Sequence, residues 1–530
     1  MDAEAFAEHL EFPRGRGPTP PESFSGSAGG AACGDLVRVA LRVAGDRVAD
    51  AGFEASGCGA AIASGSAAVE LVHGASLLDA ARVGATEVAA ELGGLSPAKH
   101  HAAELAADAL HVALGAAVAA GAGLAPPRDG LVAGRDGLAA GRDGLAAGRD
   151  GLAAGRDDLA AGRDGLAAGR DDLGGGSPHG LVAGRTLVAM SGGVDSAVAA
   201  LLVARAGREA VAVTLELWRD PANDAEASCC SAHAVRLARS VAHRMGLPHL
   251  TLDLRDAFAA GVVAPFLADH AAGLTPNPCV RCNGNVRLDA MLAFARRLGA
   301  TELATGHYAR VTPDGLLRAA ADPAKDQSYM LAALAPASLA RLRFPLGELT
   351  KPQVRELARA AALPVADRRE SQDLCFLAGT AKSAFLARHG GVRELPGAIV
   401  DRRGRTVGRH RGQQLFTVGQ RKGLGVAAEE PLYVLAKDRA ANTVTVGTRA
   451  ELATTAVAVR DAVLHRPAEA VDRVKLRYRS RPLACRVRTL EGGRMALELA
   501  EPVDGAAPGQ LACLMRGDVI VGHGVIDSAP

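Results

Sequence analysis

The chain has 530 residues, more than one hydrophobic core can serve, which sets an expectation of about three or four domains. Its 60 lysines and arginines nearly balance 58 aspartates and glutamates, so bulk charge neither requires nor excludes a nucleic-acid partner, and any such contact must come from a local patch. Nine cysteines and an N-terminus (MDAEAFAEHLEFPRGRG) that does not read as a secretory signal point to a reducing, cytoplasmic setting, where cysteines serve as metal ligands or reactive thiols.

In chain order, the first chemistry-bearing residues are Cys33 and Asp35, then Cys58 in a glycine-rich turn before Ala60–Ser66, then His101 in the string Pro97-Ala98-Lys99-His100-His101. The weakly charged stretch Ala109–Ala125 is short for a membrane span and reads as a packed helix, so no membrane partner is expected. From Arg128 to about Leu173 the sequence repeats every seven residues, marked by Leu131, Leu138, Leu145, Leu152, Leu159, Leu166 and Leu173. One leucine per seven makes no coiled-coil seam, and each glycine costs a helix about 1 kcal/mol against alanine. Residues 126–185 are therefore expected to be a low-complexity linker, flexible or weakly helical, separating an N-terminal module (1–125) from an enzyme.

The enzyme part opens with an apolar run, Thr186–Met190, that reads as a buried parallel strand. Ser191-Gly192-Gly193-Val194-Asp195-Ser196 follows, and Ala197–Ala206 carries helical spacing up to Gly207. A strand, glycine-serine loop and helix in that order leave backbone N–H groups free to hold phosphate. The loop has no lysine, so it is not a Walker A sequence. Strand-like runs at Ala210–Leu215, His249–Leu254 and Glu302–Thr305 alternate with helical patterns at Ala232–Met245 and Val286–Leu298, which predicts a parallel sheet with helices on both faces. Beyond about Gly390, short β-like runs predict two small β-rich modules, the last a barrel. Four strings stand out: Thr275–Asn283, with a C-x-x-C pair suited to redox work, half a metal site or an assisted nucleophile; Lys325–Leu331; Glu370–Phe376, with Cys375; and the basic turn Gly419–Gly425, suited to phosphate contacts.

SGGVDS resembles the pyrophosphate loop (PP-loop) of enzymes that split ATP into AMP and pyrophosphate. With the four strings in this order, Thr186 to about Asp527 resembles the bacterial tRNA-specific 2-thiouridylase family. The resemblance implies an α/β fold: a parallel-sheet PP-loop adenylation domain (186–390), a small β-rich central domain (391–455) and a C-terminal β-barrel (456–530). It implies an ATP-dependent sulfurtransferase that adenylates the C2 oxygen of a tRNA wobble uridine and replaces it with sulfur from a cysteine persulfide or a cluster-bound sulfide. On that resemblance Ala189, Met190, Ser191, Gly192, Gly193, Val194, Asp195 and Ser196 cradle ATP, with Asp195 helping to hold Mg²⁺; Leu215 and Gly306 approach the nucleotide. Cys282 matches the nucleophile and Cys375 the persulfide carrier. Asn277, Pro278 and Cys279 match the segment that meets the base. Lys325, Asp326, Gln327, Arg477, Tyr478, His307 and Gln510 match tRNA contacts. A base flipped out of its stack is also expected.

Some members of that family carry aspartate where Cys279 stands. Here Cys279, Cys282 and Cys375 either hold a 4Fe–4S cluster with an open iron, or work as thiols with Cys279 a bystander or resolving group. Cys229-Cys230 is read as structural or substrate-adjacent, and Cys485 and Cys513 as buried. The N-terminal module, about Glu22–Leu114, resembles the α+β U-type (NifU/IscU-like) iron–sulfur scaffolds. Cys33, Asp35, Cys58 and His101 match its ligand positions, while Ala102 stands where the third cysteine is expected. That set could hold Zn²⁺ or a weaker cluster, or the module survives only to dock a cysteine desulfurase or another sulfur-relay donor. The leading expectation is a tRNA sulfurtransferase fused to a delivery module, the linker permitting their encounter. The alternatives are a non-catalytic iron–sulfur carrier and another PP-loop synthetase. The missing glutaminase domain and the cysteine set argue against the second, the intact SGGVDS loop against the first.

Overall fold

The computed structural model describes residues 3–29, 34–124, 184–220, 231–368, 374–377, 379–391, 394–490 and 494–527. The repeat region expected as a linker, with Cys33, Cys229, Cys230 and Glu370–Asp373, lies outside the described residues.

The N-terminal module begins with α1 (Ala3–Glu11) and a three-stranded antiparallel sheet ordered β1 (Phe24–Gly29), β2 (Leu36–Ala44), β3 (Arg47–Ser56). Alternation in β2 buries Val37, Val39 and Leu41 against helices, as a sheet with one covered face requires. The cover comes from α2 (Gly59–Val72), whose small residues Ala60, Ala61, Ala63 and Ala67 allow close packing, and from α5 (His100–Gly121). The short helices α3 (Leu77–Ala80) and α4 (Ala85–Glu91) lie between them. By length and composition α5 would pass for a membrane span, but 83% of that stretch is buried inside the protein; it is a core helix.

The second body is a five-stranded, all-parallel sheet. Its order is Leu342–Arg343, β7 (Glu302–Thr305), β4 (Arg185–Ala189), β5 (Glu209–Glu216), β6 (His249–Asp253). Helices α6 (Val194–Arg205) and α7 (Ala232–Arg244) pack beside it, so the predicted strands and helices are present with boundaries shifted by one to three residues, the largest shift being the start of α6 at Val194 rather than Ala197. β4 is first in sequence; β5 and β6 extend to one side and β7 to the other. The crevice beyond the C-terminal ends of β4 and β7 is therefore a topological switch point, where open α/β sheets bind ligands.

A four-stranded unit follows, in which Gly397–Val400 pairs antiparallel with Thr406–His410 and parallel with Thr443–Gly447. The last six strands close on themselves, because Ala453–Leu464 pairs with both Met495–Asp504 and Val519–Ile526. A hairpin of the α/β domain, Arg310–Val311 with Leu317–Arg318, joins this barrel through Val519. The barrel core is Val457, Val459, Leu497, Leu514 and Ile526, together with Cys485. Cys485 and Cys513 are buried as expected, and burial pushes their thiols up to about 11 and about 12.

The N-terminal module and the α/β domain share one hydrophobic core, in which Val39, Phe53, Leu110 and Leu114 are continuous with Leu187, Val213, Leu250 and Leu252. Helix α5 lies against β6, and Asp108 forms 2.6 Å ion pairs with both Arg236 and Arg239 of α7.

Candidate active site

The phosphate loop is shaped by contacts internal to it and by two neighbours. Gly192 adopts φ +70, and a β-carbon there would lie 2.8 Å from the Ala234 carbonyl in the first turn of α7. Ser191 N–H donates to Ser196 Oγ at 3.1 Å, and Ser196 Oγ donates to the Gly193 carbonyl at 3.0 Å. Arg368 donates to the Gly192 carbonyl at 2.8 Å. Gly306, just past β7, would place a β-carbon 2.7 Å from the Ser196 nitrogen, so this strand end reaches the loop only without a side chain. Leu215 closes the end of β5 and is buried. All the predicted nucleotide residues thus gather at the switch point.

Asp195 occupies the first turn of α6, and its Oδ1 is engaged twice: the Tyr308 hydroxyl donates at 2.8 Å and Lys351 Nζ at 2.6 Å. Lys351 is 7% exposed, and its own N–H donates to Asp322 at 3.1 Å. Lys351 and Tyr308 went unpredicted. Lys351 opens the helix Lys351–Ala360, far along the chain, and no local pattern sets it apart from any other lysine at a helix start.

Asn277 caps the helix Pro278–Cys282, its Oδ1 accepting from the N–H groups of Cys279 (3.1 Å) and Val280 (3.3 Å). Cys282 is buried and Cys279 half-buried. Cys375 is half-buried, held by its neighbour Phe376, whose ring sits 5.2–5.9 Å from those of Phe258, Phe266 and Phe385. Cys282 and Phe376 belong to one core, with Cys375 packed against it. No disulfide joins the described cysteines, and Cys279, Cys282 and Cys375 are not among the groups whose ligand atoms lie within 4.8 Å of one another. The three thiols are therefore not set around a single metal ion.

The predicted tRNA contacts divide. Arg477 is exposed, and Lys325 and Tyr478 are half-buried. Asp326 is buried, its carboxylate engaged by Lys475 (3.0 Å), Ser328 and two backbone amides. Gln327 accepts from the Tyr308 amide at 3.0 Å. Gln510 of the barrel donates to the Thr275 carbonyl at 2.9 Å, which braces the loop leading into Asn277. Arg477 also ties the barrel to the central unit through the carbonyls of Val418 and Gly505. His307 lies between Thr305 (2.9 Å) and Arg287 (3.0 Å); burial, with Arg287 adding to it, holds its ring neutral, at about 3.

In the N-terminal module, Asp35 Oδ1 accepts the Cys58 N–H (2.8 Å), and Oδ2 faces the Cys58 thiol (3.2 Å) and His101 Nε2 (3.0 Å). These bonds, the Cys58 amide first, lower the Asp35 carboxyl below its ordinary value. Asp35, Cys58 and His101 offer ligand atoms within 4.8 Å of one another. One carboxylate, one thiol and one imidazole so placed suit Zn²⁺. Ala102, fully buried in α5, adds no further donor.

Family profiles match four segments of the chain: the NifU-like N terminal domain over residues 2–119, the tRNA methyl transferase HUP domain over 184–379, the tRNA methyl transferase PRC-barrel domain over 383–448, and the aminomethyltransferase beta-barrel domain over 456–526. The chain is 41% identical to the bifunctional protein NifU/MnmA of Rubrobacter xylanophilus, over 98% of this chain and 97% of that one. It is 41% identical to the tRNA-specific 2-thiouridylase MnmA of Geobacter metallireducens, over 65% of this chain and 97% of that protein. It is 44% identical to the MnmA of Chloroflexus aggregans, over 64% and 97%.

Proposed function

The chain belongs to the bifunctional NifU/MnmA family, a U-type scaffold joined to a tRNA sulfurtransferase, and on that footing we propose that it makes 2-thiouridine at the tRNA wobble position by adenylation followed by thiol-borne sulfur transfer. The observation that carries the reading is the switch-point loop: Ser191–Ser196 offers backbone N–H groups at the head of α6, with Lys351 and Asp195 beside them. The uridine C2 oxygen is a poor leaving group. Transfer of AMP from ATP makes it a good one, and the loop amides stabilise the charge on departing pyrophosphate. Lys351 orients Asp195 and adds positive charge at the same point, and Asp195 is the residue that would meet Mg²⁺ accompanying ATP.

Sulfur then arrives as the outer atom of a persulfide on Cys375, supplied by a cysteine desulfurase or a relay protein. Cys282, across the same core, attacks the inner sulfur of that persulfide, which closes a Cys282–Cys375 disulfide and frees hydrosulfide to attack C2, or it steadies the sulfur in transit; an external thiol reduces the disulfide before the next cycle. Displacement at C2 releases AMP. Lys325, Arg477 and Tyr478 contact the tRNA from the surface, while Asp326, Gln327 and Gln510 act behind them by holding Tyr308, the barrel and the Asn277 loop in place. We divide the chain at about residues 125, 185, 390 and 455, and read the N-terminal head as a zinc site or a weakened cluster site that receives sulfur or iron.

The test is nucleoside mass spectrometry on unmodified tRNA incubated anaerobically with ATP and sulfide, before and after iron–sulfur reconstitution. Sulfide alone cannot charge Cys375, because a persulfide needs sulfur at a higher oxidation level, so wobble 2-thiouridine in the iron-free sample given a cysteine desulfurase and cysteine supports the thiol route; its appearance only after reconstitution replaces that route with a cluster on Cys279, Cys282 and Cys375. No product in either sample, even with a desulfurase and cysteine added, overturns the assignment.

A further inference from the structure

The two halves of this chain are joined by residues 125–183, yet the ends of that segment lie close together. Gly121 packs against the Arg297 side chain, and Arg185 donates to the Leu298 carbonyl at 2.7 Å, so both ends sit at the C-terminus of the helix Leu288–Arg297. An extended chain covers about 3.3 Å per residue, so far fewer residues than these would bridge this gap.

The surface between the halves is built rather than incidental. Asp108 of α5 is held by Arg236 and Arg239 of α7, with Arg239 buried. Glu104, one turn earlier, faces Arg236 at 3.7 Å. The His249 N–H donates to the Ala81 carbonyl at 2.9 Å, and His243 Nε2 meets the same carbonyl at 3.1 Å. Arg297 donates to the Gly45 carbonyl at 3.0 Å. Gly115 of α5 lies so close to β6 that a β-carbon would fall 1.7 Å from the Thr251 carbonyl oxygen. Opposite charges, crossing backbone bonds and a shared core are features of permanent interfaces.

We propose that the α7–β6 face of the adenylation domain is a docking surface for the U-type module of the same chain, and that this surface, rather than the tether, holds the module in place. The occupant is the chain's own module and not a second copy's, because the two linker ends already meet at one helix end. The pairing also sets an orientation. Arg236 faces Glu104 and Asp108, and His243 faces His111 with ring centroids 5.6 Å apart, so α5 and α7 run side by side in one direction. His101 precedes Asp108 by seven residues, about 10 Å of helix. Ala234, which meets Gly192, precedes Arg236 by two. The Asp35–Cys58–His101 head and the phosphate loop therefore share one end of the helix pair, and the module is a standing subunit that keeps its head on the nucleotide side.

The experiment replaces one seven-residue repeat of the full chain with a specific protease sequence, cleaves it and runs size-exclusion chromatography. The expected result is co-elution of both fragments at the mass of one intact chain. Gly115→Leu, which drives a side chain into β6, and Asp108→Lys, which sets like charges together, are each expected to separate the fragments. Circular dichroism and zinc binding of the released module show whether it stays folded; if Asp108→Lys unfolds it, Gly115→Leu alone decides. Separation of the unsubstituted fragments overturns the proposal, as does co-elution that persists in a folded Gly115→Leu variant. An intact chain that runs as a dimer and re-pairs between copies overturns the same-chain assignment. Thiolation by the separated enzyme fragment, given a cysteine desulfurase and cysteine, is expected to continue, so loss of docking and failure of the thiolation reading give different results.

Discussion

Gly306→Ala tests the phosphate loop with a single methyl group. The added carbon would lie 2.7 Å from the Ser196 nitrogen and 2.9 Å from the Asp195 carbonyl carbon. Ordinary contacts of this kind begin near 3.5 Å, so a shift of about 0.8 Å is required. The atoms in the way are backbone, at the point where α6 starts and the loop ends, and no side-chain rotation relieves them. Gly306 is not among the residues with positive φ, so alanine adds no conformational strain of its own and the effect is steric. Overpacking of this size costs about 1–3 kcal/mol of stability, which the fold should survive. Activity should fall further, because a misplacement of about 1 Å in a catalytic array costs about 100-fold; at this shift a loss of about 10- to 50-fold in kcat/KM for ATP is expected. The assay is tRNA-dependent pyrophosphate release at varied ATP, with a thermal melt as the folding control. A variant with unchanged KM and kcat for ATP would refute the placement of nucleotide between β4 and β7.

Lys351→Met removes the ammonium group from Asp195 and leaves a carboxylate beside the loop; kcat/KM for ATP should drop about 100-fold, and Asp195→Ala should abolish 2-thiouridine altogether. Cys375→Ser should abolish thiolation while pyrophosphate release persists, and thiolation that survives the substitution would remove the persulfide role. Thiolation that survives Cys279→Ser speaks for the metal-free thiol route, and its loss together with the iron–sulfur absorbance speaks for a cluster. Burial, the largest cause at each, lowers His111, His243 and His249 at the inter-domain surface; Arg239 adds to it at all three, His111 acts on His249 ahead of Arg239, and the Ala81 carbonyl, Glu87 and Arg82 also face His243. Their folded values lie below the ordinary 6.5, so the stability they contribute is complete above pH 6.5 and falls as the solution is acidified. Acidification from pH 7 to 5.5 should therefore lower the melting temperature, and a flat profile would refute the neutral assignment.

The local part of this architecture was legible because each signal sits within one element. The apolar run before Ser191 and the glycines after it announce a strand and a phosphate loop at once, although α6 begins at Val194, three residues earlier than the helical spacing places it. Asn277 before Pro278 reads as a helix start, and it caps the helix that presents Cys279 and Cys282. The buried places of Cys485 and Cys513 follow from their apolar neighbours.

What escaped the sequence is made of pairs far apart in it. Lys351 and Asp195 meet across 156 positions, and a lysine opening a helix carries no mark of its partner. Gln510 and Asp326 carry family motifs, yet their side chains face inward: 235 positions separate Gln510 from the loop it braces, and Asp326 binds Lys475 in the barrel. A motif records that a residue matters to a site without recording whether it touches the substrate or holds what does. The inter-domain surface is the extreme case. Composition described the connecting repeats, and from them a tether that brings two independent bodies together was the natural reading. Whether the bodies are independent depends on Asp108, Arg236, Arg239, Gly115 and Thr251, none of them unusual alone. Their meaning arises only when α5 is laid on β6, where one glycine admits a backbone carbonyl and one carboxylate answers two guanidinium groups. An alanine-rich helix that looked like filler before a linker is, in the folded chain, the element that joins the N-terminal module to the α/β domain.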